Sequence, residues 1–380
     1  MKKFDAAIAG GGVIGGAIAL ELARAGLRVA VFDRQQAGQE ASWASAGILS
    51  PAPENPGMVA MVPLGKASLA LYPEFVGWVE EISGKSTGFR PKGTLEALFS
   101  HDTKAEELST IIALHHGLGL KAEPLRAEDA RELEPALSEE VEAAVFRPEE
   151  GSVDNRTLMA AILKAAERSG AEIFSGDGAK AIWRDGDRCA GLVLQNEKVE
   201  AKWTIIAAGC FSATIEGIAP YVPVRPAKGQ MAALRADDLK MERVLWSETI
   251  YLVPRNDGRI LAGATLEYAG FDKRTTAGGI EKILSAAIDL APGLANARLE
   301  ETWAGLRPDS PDHLPILGPT DVDGLLIATG HFRSGILLAP ITARLVREWI
   351  TEQRVSADWD RFSPLRFPSA TVDAASHAPA

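Results

Sequence analysis

Cysteine is nearly absent: Cys189 and Cys210 are the only two in 380 residues. Two are too few for a disulfide framework, and these lie too far apart for a C-x-x-C redox pair or a metal-ligand pair. Both read as small buried hydrophobes in a reducing, cytoplasmic setting. Positive charge is in deficit, with 40 Lys and Arg against 51 Asp and Glu and a formal charge of -11. Such a field repels phosphate backbones and anionic lipid surfaces, so nucleic acid is not expected as a partner. No uninterrupted apolar run reaches the roughly 18 residues of a membrane-spanning helix, and no integral membrane association is expected. Lys2 and Lys3 before an Ala, Ile and Gly-rich run imitate an export signal, but Asp5 interrupts it and the glycines make a poor apolar helix. The six histidines show no H-E-x-x-H spacing, which predicts no metal site, and no G-x-S-x-G elbow is present. His115 and His116 fall on different faces of a helix-like stretch and read as solvated.

What is present is a globular composition, 46% hydrophobic and 24% charged, on a chain long enough for two packed domains. Phe4 to Ala9 reads as a strand, Gly10 to Gly12 as a turn, Val13 to Ala25 as a helix capped by Gly26, and Leu27 to Phe32 as a second strand. That is one βαβ unit, and its crossover implies a parallel sheet. The grammar returns where Asp154 is placed to cap a helix through Leu158, Ile162 and Ala165, followed by a strand from Ala171 to Phe174. Thr204 to Ala208 and Leu325 to Ala328 are further strands, running into turns at Gly209 and Gly330. Residues 60 to 145 look helix-like and charged. Residues 223 to 302 mix alternating strands with a helix near Gly279 to Leu290. The expected architecture is α/β, a discontinuous nucleotide-binding domain with a second domain inserted between its strands.

Gly10-x-Gly12-x-x-Gly15 follows a strand and opens a helix, the context that gives this pattern its meaning. One glycine permits the turn, one lets backbone approach a pyrophosphate, and Gly15 lets helix and strand pack closely. Asp33, 18 residues after Gly15, ends the second strand where a carboxylate can accept hydrogen bonds from ribose hydroxyls. NAD and FAD share this pattern. The turns at Gly209 and Gly330 and the N-terminal position of the glycine turn favour the longer flavin nucleotide.

Two arginines stand among apolar and glycine neighbours: Arg307 in WAGLRP and Arg333 in GHFRSG. Arginine suits bidentate capture of a carboxylate, although each could equally pair with an acid at the surface. Tyr251, in IYLVP, alternates as a strand residue whose hydroxyl could reach a pocket or simply pack in a core.

Taken together, these blocks resemble the flavin-dependent D-amino-acid oxidase superfamily, and within it the glycine oxidases of thiamine thiazole formation. The likeness covers about residues 4 to 365. It rests on GGGVIGG with Asp33, Ser45 to Ile48, SLALYPEF, VDNRTL, YLVPR, GATLE, WAGLRPDSPDHLPILGP and ATGHFRSGILLAP. The resemblance implies a Rossmann-like FAD-binding domain of residues 1–88, 147–222 and 302–365. It further implies an α+β substrate domain on an antiparallel sheet, residues 89–146 and 223–301, with 366–380 as a disordered tail. FAD would be held non-covalently. Gly10, Gly12, Val13, Ile14 and Gly15 would form the pyrophosphate turn, Asp33 and Arg34 the adenosine end, and Ala41, Ser42 and Ala46, Gly47 and Ile48 the flavin's underside. Ala179 would meet the adenine, Gly209 and Gly330 would let backbone come close, and His331, Phe332, Arg333, Ser334, Gly335, Ile336 and Leu337 would wrap the isoalloxazine. Arg307 would grip a substrate carboxylate with Tyr251, and Arg333 would stand beside it. Ile48 and Leu266 would shape the wall where methionine often stands, and Ser334 replaces an expected asparagine.

The implied reaction is oxidation of a small amino acid with O2, in a homo-oligomer. The nearest rivals are a sarcosine or D-amino-acid oxidase or dehydrogenase, then an NAD-dependent dehydrogenase, then a nucleotide-binding subunit without turnover.

Overall fold

The computed structural model describes residues 2–53, 55–99 and 108–367. At its centre lies a sheet in the order Ile316–Pro319, Leu325–Thr329, Lys198–Ile206, Lys3–Ala9, Val29–Asp33 and Glu172–Ser175. All neighbours are parallel except the first pair. Alternate side chains sort onto two faces. Ala6, Ile8, Val29 and Val31 face the helices Val13–Arg24, Val62–Ser83, Asn155–Arg168 and Gly335–Glu352, while Ala7, Ala9, Ala30 and Phe32 face a layer that includes the hairpin of Ala181–Asp185 and Arg188–Val193. Burial on both sides is why these strands read as continuous apolar runs. The βαβ unit and the second helix stand where the sequence places them, and the Asp154 carboxylate accepts from the amides of Arg156 and Thr157 at 3.0 and 3.1 Å.

A second sheet runs Arg298–Asp309, Arg225–Arg235, Arg259–Gly263, Tyr251–Pro254, Val244–Trp246, Thr94–Phe99, Val141–Arg147 and Glu123–Arg126. It is antiparallel except where Val244–Trp246 meets Thr94–Phe99, the junction of two distant chain segments. The helix Ala277–Leu290 covers one face. The helix-like expectation for residues 60 to 145 is corrected in part. Helices occupy Val62–Ser83, Leu108–Gly117 and Ala127–Leu133, but three strands lie in the same stretch. Leu95 and Leu98 have helical spacing, yet they point to opposite faces of a strand buried on both sides and join different clusters. The strand Arg298–Asp309 runs unbroken across residue 302, where a domain boundary was expected. Most of the expected tail lies outside the described residues; within them, Arg366 is held by the Asp312 carboxylate at 2.8 Å.

One buried seam fixes where the helix Gly335–Glu352 begins. Pro340 lies inside that helix and has no N–H, which leaves the Ile336 carbonyl without its helical donor. Tyr72 and Ser68, one turn apart on the helix Val62–Ser83, fill the gap: Tyr72 Oη donates to Ile336 O at 2.6 Å and Ser68 Oγ to Leu337 O at 2.5 Å. Tyr72 is fully buried. In Tyr72→Phe the carbonyl loses its partner in a site water does not reach, so denaturant unfolding should show a loss of about 1–3 kcal/mol.

Candidate active site

Between the two sheets lies a crevice of about 640 Å³, within the range of small-molecule sites. At one end the chain leaves the strand Lys3–Ala9 through Gly10, whose φ is +102°. A Cβ there would sit 2.5 Å from the Ala207 carbonyl oxygen, and one at Gly15 would sit 1.9 Å from the Gly10 oxygen. Only glycine allows the helix Val13–Arg24 to start this close to the strand. Its N-cap, Gly12, offers no side chain; instead Ser42 Oγ accepts from the Val13 amide at 2.9 Å. Asp33 lines the crevice and also holds the turn together. Its Oδ2 accepts from the Gly11 amide at 2.8 Å and its Oδ1 from the Gln35 amide at 3.1 Å, which ties the turn to the end of the second strand. Burial raises its pKa, against the pull of those two amides and of Arg34.

The short helix Ala41–Ala44 and the chain just after it are pinned by four of their carbonyls. Asn155 Nδ2 donates to the oxygens of Ser42 and Trp43 at 2.9 and 2.7 Å, Trp303 Nε1 to Ala44 at 2.9 Å, and Arg255 Nη2 to Ala46 at 2.8 Å. Arg255 also donates to Asn155 Oδ1 at 2.8 Å, and burial pushes its guanidinium down to about 10. Gly47 follows at φ +73°, where a Cβ would lie 2.2 Å from the Val153 oxygen. On the far side, Gly330 and Phe332 both have positive φ, and the loop through Ser334 opens the helix Gly335–Glu352 without a side-chain cap. Two helix N-termini therefore open on the same crevice, each favouring negative charge. Glycine clearance, the Asp33 carboxylate and these helix ends fit a flavin dinucleotide.

The second sheet supplies the remaining wall. Arg307 stands beside Gly229 on the neighbouring strand, diagonal in register, and its guanidinium lies where a Gly229 Cβ would be, 2.2 Å from Nη1. Arg307 Nη1 donates to the Thr265 carbonyl at 3.2 Å. Gly263 plays the same part for Tyr251. Tyr251 and Met231 flank it from both sides, their tips meet above it at 3.3 Å, and a Cβ there would strike the Met231 sulfur at 2.1 Å. Gly229 and Met231 share a strand face two residues apart, so guanidinium and hydroxyl are offered side by side, roughly 7 Å apart along the strand.

Gly10, Gly12, Val13, Ile14, Asp33, Arg34, Ala41, Ser42, Ala46, Gly47, Ile48, Ala179, Gly209, Tyr251, Arg307 and the run His331 to Leu337 all line this crevice. Gly15 and Gly330 do not; they act through packing and turn geometry. Leu266 is also outside it and is 44% exposed. The flanking Thr265 and Glu267 point inward to Gln230, so alternation turns Leu266 outward. His115, expected to be solvated, is buried, its Nδ1 on the Ile111 carbonyl at 2.7 Å. Gly229, Gly263, Asn155 and Arg255 were not expected as site residues, although Gly263 opens GATLE, Asn155 lies in VDNRTL and Arg255 ends YLVPR.

A model of the family of FAD dependent oxidoreductases matches residues 5–349. The "Bifunctional protein ThiO/ThiG" of Synechocystis sp. is 37% identical over 374 residues, 97% of this chain and 54% of that protein. The chain thus spans about half the length of the bifunctional relatives it matches. The glycine oxidase of Geobacillus kaustophilus is 34% identical over 370 residues, 96% of this chain and 97% of the relative. Its crystal structure superposes with a TM-score of 0.90, covering 96% of this chain and 98% of that one.

Two outcomes follow from the site's geometry. Gly229→Ala should push the Arg307 guanidinium off its strand and weaken carboxylate binding at least about tenfold, read by ligand titration, while the melting temperature stays nearly unchanged. Burial pushes His331 down to about 3, and its neutral ring shares a hydrogen bond with Thr342 Oγ1 at 3.1 Å. The unfolded ring takes up its proton near 6.5, so the buried ring's contribution to stability is whole above that pH and is lost as pH falls toward 3. His331→Gln should flatten unfolding free energy against pH by up to about 1.4 kcal/mol per pH unit between about pH 4 and 6, as denaturant titrations would show.

Proposed function

The chain belongs to the family of FAD-dependent oxidoreductases, and from that premise we propose that it oxidises glycine and other small amino acids at the amine-bearing carbon, with O2 as final acceptor. The observation that carries this reading is the pair over the two glycines: Arg307 above Gly229 and the Tyr251 hydroxyl above Gly263, on a crevice that begins at the Gly10 turn. The likeness to glycine oxidases over nearly the whole chain supports the same substrate class.

Arg307 binds the substrate carboxylate through charge-assisted hydrogen bonds, and Tyr251 donates a further one. Held there, the substrate turns its Cα–H bond toward the middle of the crevice, between the loop of residues 46 to 48 and the run His331 to Leu337. The amine reacts as the neutral base, with its lone pair available to the adjacent carbon. FAD, which the Gly10 to Gly12 turn, Asp33 and the run His331 to Leu337 would hold, would supply a two-electron acceptor for the hydride from Cα, with O2 as the final oxidant giving peroxide. This chain's residues contribute position and the exclusion of water. The carbon–nitrogen bond gains double-bond character and the product is an imino acid. From glycine it either takes up water to give glyoxylate and ammonia or passes on to build the thiazole of thiamine, a fate that the ThiO/ThiG relatives favour. Assembly into a homo-oligomer belongs to this reading and is checked by the mass in solution.

The deciding experiment adds glycine, sarcosine and D-alanine to the purified yellow enzyme without oxygen. Bleaching by glycine supports the proposal; a spectrum that no amino acid changes overturns it. Arg307→Ala should keep its bound FAD but lose about 2–5 kcal/mol of transition-state binding, at least ~30-fold in kcat/KM for glycine.

A further inference from the structure

The far end of the crevice holds charged groups that this reaction does not use. From Tyr251 the wall continues across the sheet: Tyr251 pairs with Trp246, their rings 5.3 Å apart, and Trp246 pairs with Glu96. Beyond stands Arg147, only 7% exposed, whose Nη2 is paired with the Glu96 carboxylate. Its Nε donates to His115 Nε2 at 3.2 Å. That bond fits the tautomer in which His115 Nδ1–H donates to Ile111, and burial holds the ring neutral by lowering its pKa. Glu96, His115 and Arg147 all line the crevice.

The third guanidinium nitrogen, Nη1, has no hydrogen-bond partner among the described residues. Nor is it one of the enclosed polar atoms that lack a partner, so it is not sealed off, and Arg147 is one of the residues lining the cavity. A guanidinium this deep keeps its donors matched, and an open one invites an acceptor from a ligand. Glu96 already neutralises the charge. A second carboxylate would meet repulsion from Glu96, whereas a neutral carbonyl would meet only the donor.

Building on the amino-acid reading above, we propose that Arg147 binds a neutral hydrogen-bond acceptor, a carboxamide or similar carbonyl, on the part of the substrate remote from the reacting carbon. The enzyme then takes amino acids with extended polar side chains as well as glycine. The backbones of Tyr251 and Glu96 are two strand spacings apart, roughly 10 Å, a span that glycine cannot bridge.

The test uses the FAD-loaded enzyme and a series of D-amino acids with terminal carboxamides, from D-glutamine upward by single methylenes, beside their terminal methyl and carboxylate isosteres. At one chain length the amide should exceed the methyl compound in kcat/KM at least about tenfold, with the carboxylate below the amide. Arg147→Lys keeps a cation beside Glu96 but loses the fork; it should bring that ratio near one while glycine turnover stays within about twofold. No preference at any length, a carboxylate preferred over the amide, or a preference that survives Arg147→Lys overturns the proposal. Should the variant fail to load FAD, the wild-type series decides alone. Loss of all glycine turnover in the wild type would instead strike the parent reading.

Discussion

The site depends on bare backbone under a charged side chain. Arg307 can lie flat across its neighbouring strand only because Gly229 has no Cβ, and Tyr251 can reach Met231 only because Gly263 has none. A guanidinium left in solvent would have many rotamers to surrender on binding. One laid against a strand and bonded to the Thr265 carbonyl has few. The cost of order is met when the chain folds, so the donor array is already formed before any anion arrives.

The same economy governs the loop of residues 42 to 46. Carbonyls of a single helical turn, here Ala41–Ala44, and of the chain just after it have no helical donors and need others once buried. Here they come from Asn155, Trp303 and Arg255, three side chains on different elements. Asn155 opens the helix that Asp154 caps, so a hydrogen-bond cap, a buried amide and a buried guanidinium act in one chain of contacts. Removing any member strands a polar group where water cannot replace it, which couples the loop's shape to the packing of both sheets.

How much of this could be read from the residues alone follows from the range of each signal. The turn at Gly10 to Gly15, its strand, its helix and Asp33 are local and were legible, because each acts within a βαβ unit. Arg307 and Tyr251 were legible as residue types in unusual settings, helped by the resemblance of their motifs. Gly229 and Gly263 were not, since their value lies in cross-strand register, which no spacing within one strand reveals. Leu266 shows the converse. Its motif suggested a pocket wall, but a period-two alternation fixed by Gln230, distant in sequence and adjacent only in the fold, turns it outward. His115 is a like case: its helix spacing points to solvent, but the strand carrying Arg147 packs against that face and buries it.

The two helix ends explain why one crevice can hold so much uncharged backbone and still select anions. Val13–Arg24 and Gly335–Glu352 both begin at it, and neither takes a side-chain cap from its own N-cap residue. Partial positive charge is thus present at two separated points in addition to the arginines Arg34, Arg307 and Arg333 that line the crevice. Pro340 sharpens the second of them, since it frees the Ile336 carbonyl, and Tyr72 and Ser68 then hold the first turn in place from outside. Fixed dipoles, unlike flexible cations, need no rearrangement when charge arrives, so a cradle of this kind favours negative charge at no reorganisation cost, while the Arg307 guanidinium stays bonded to the Thr265 carbonyl.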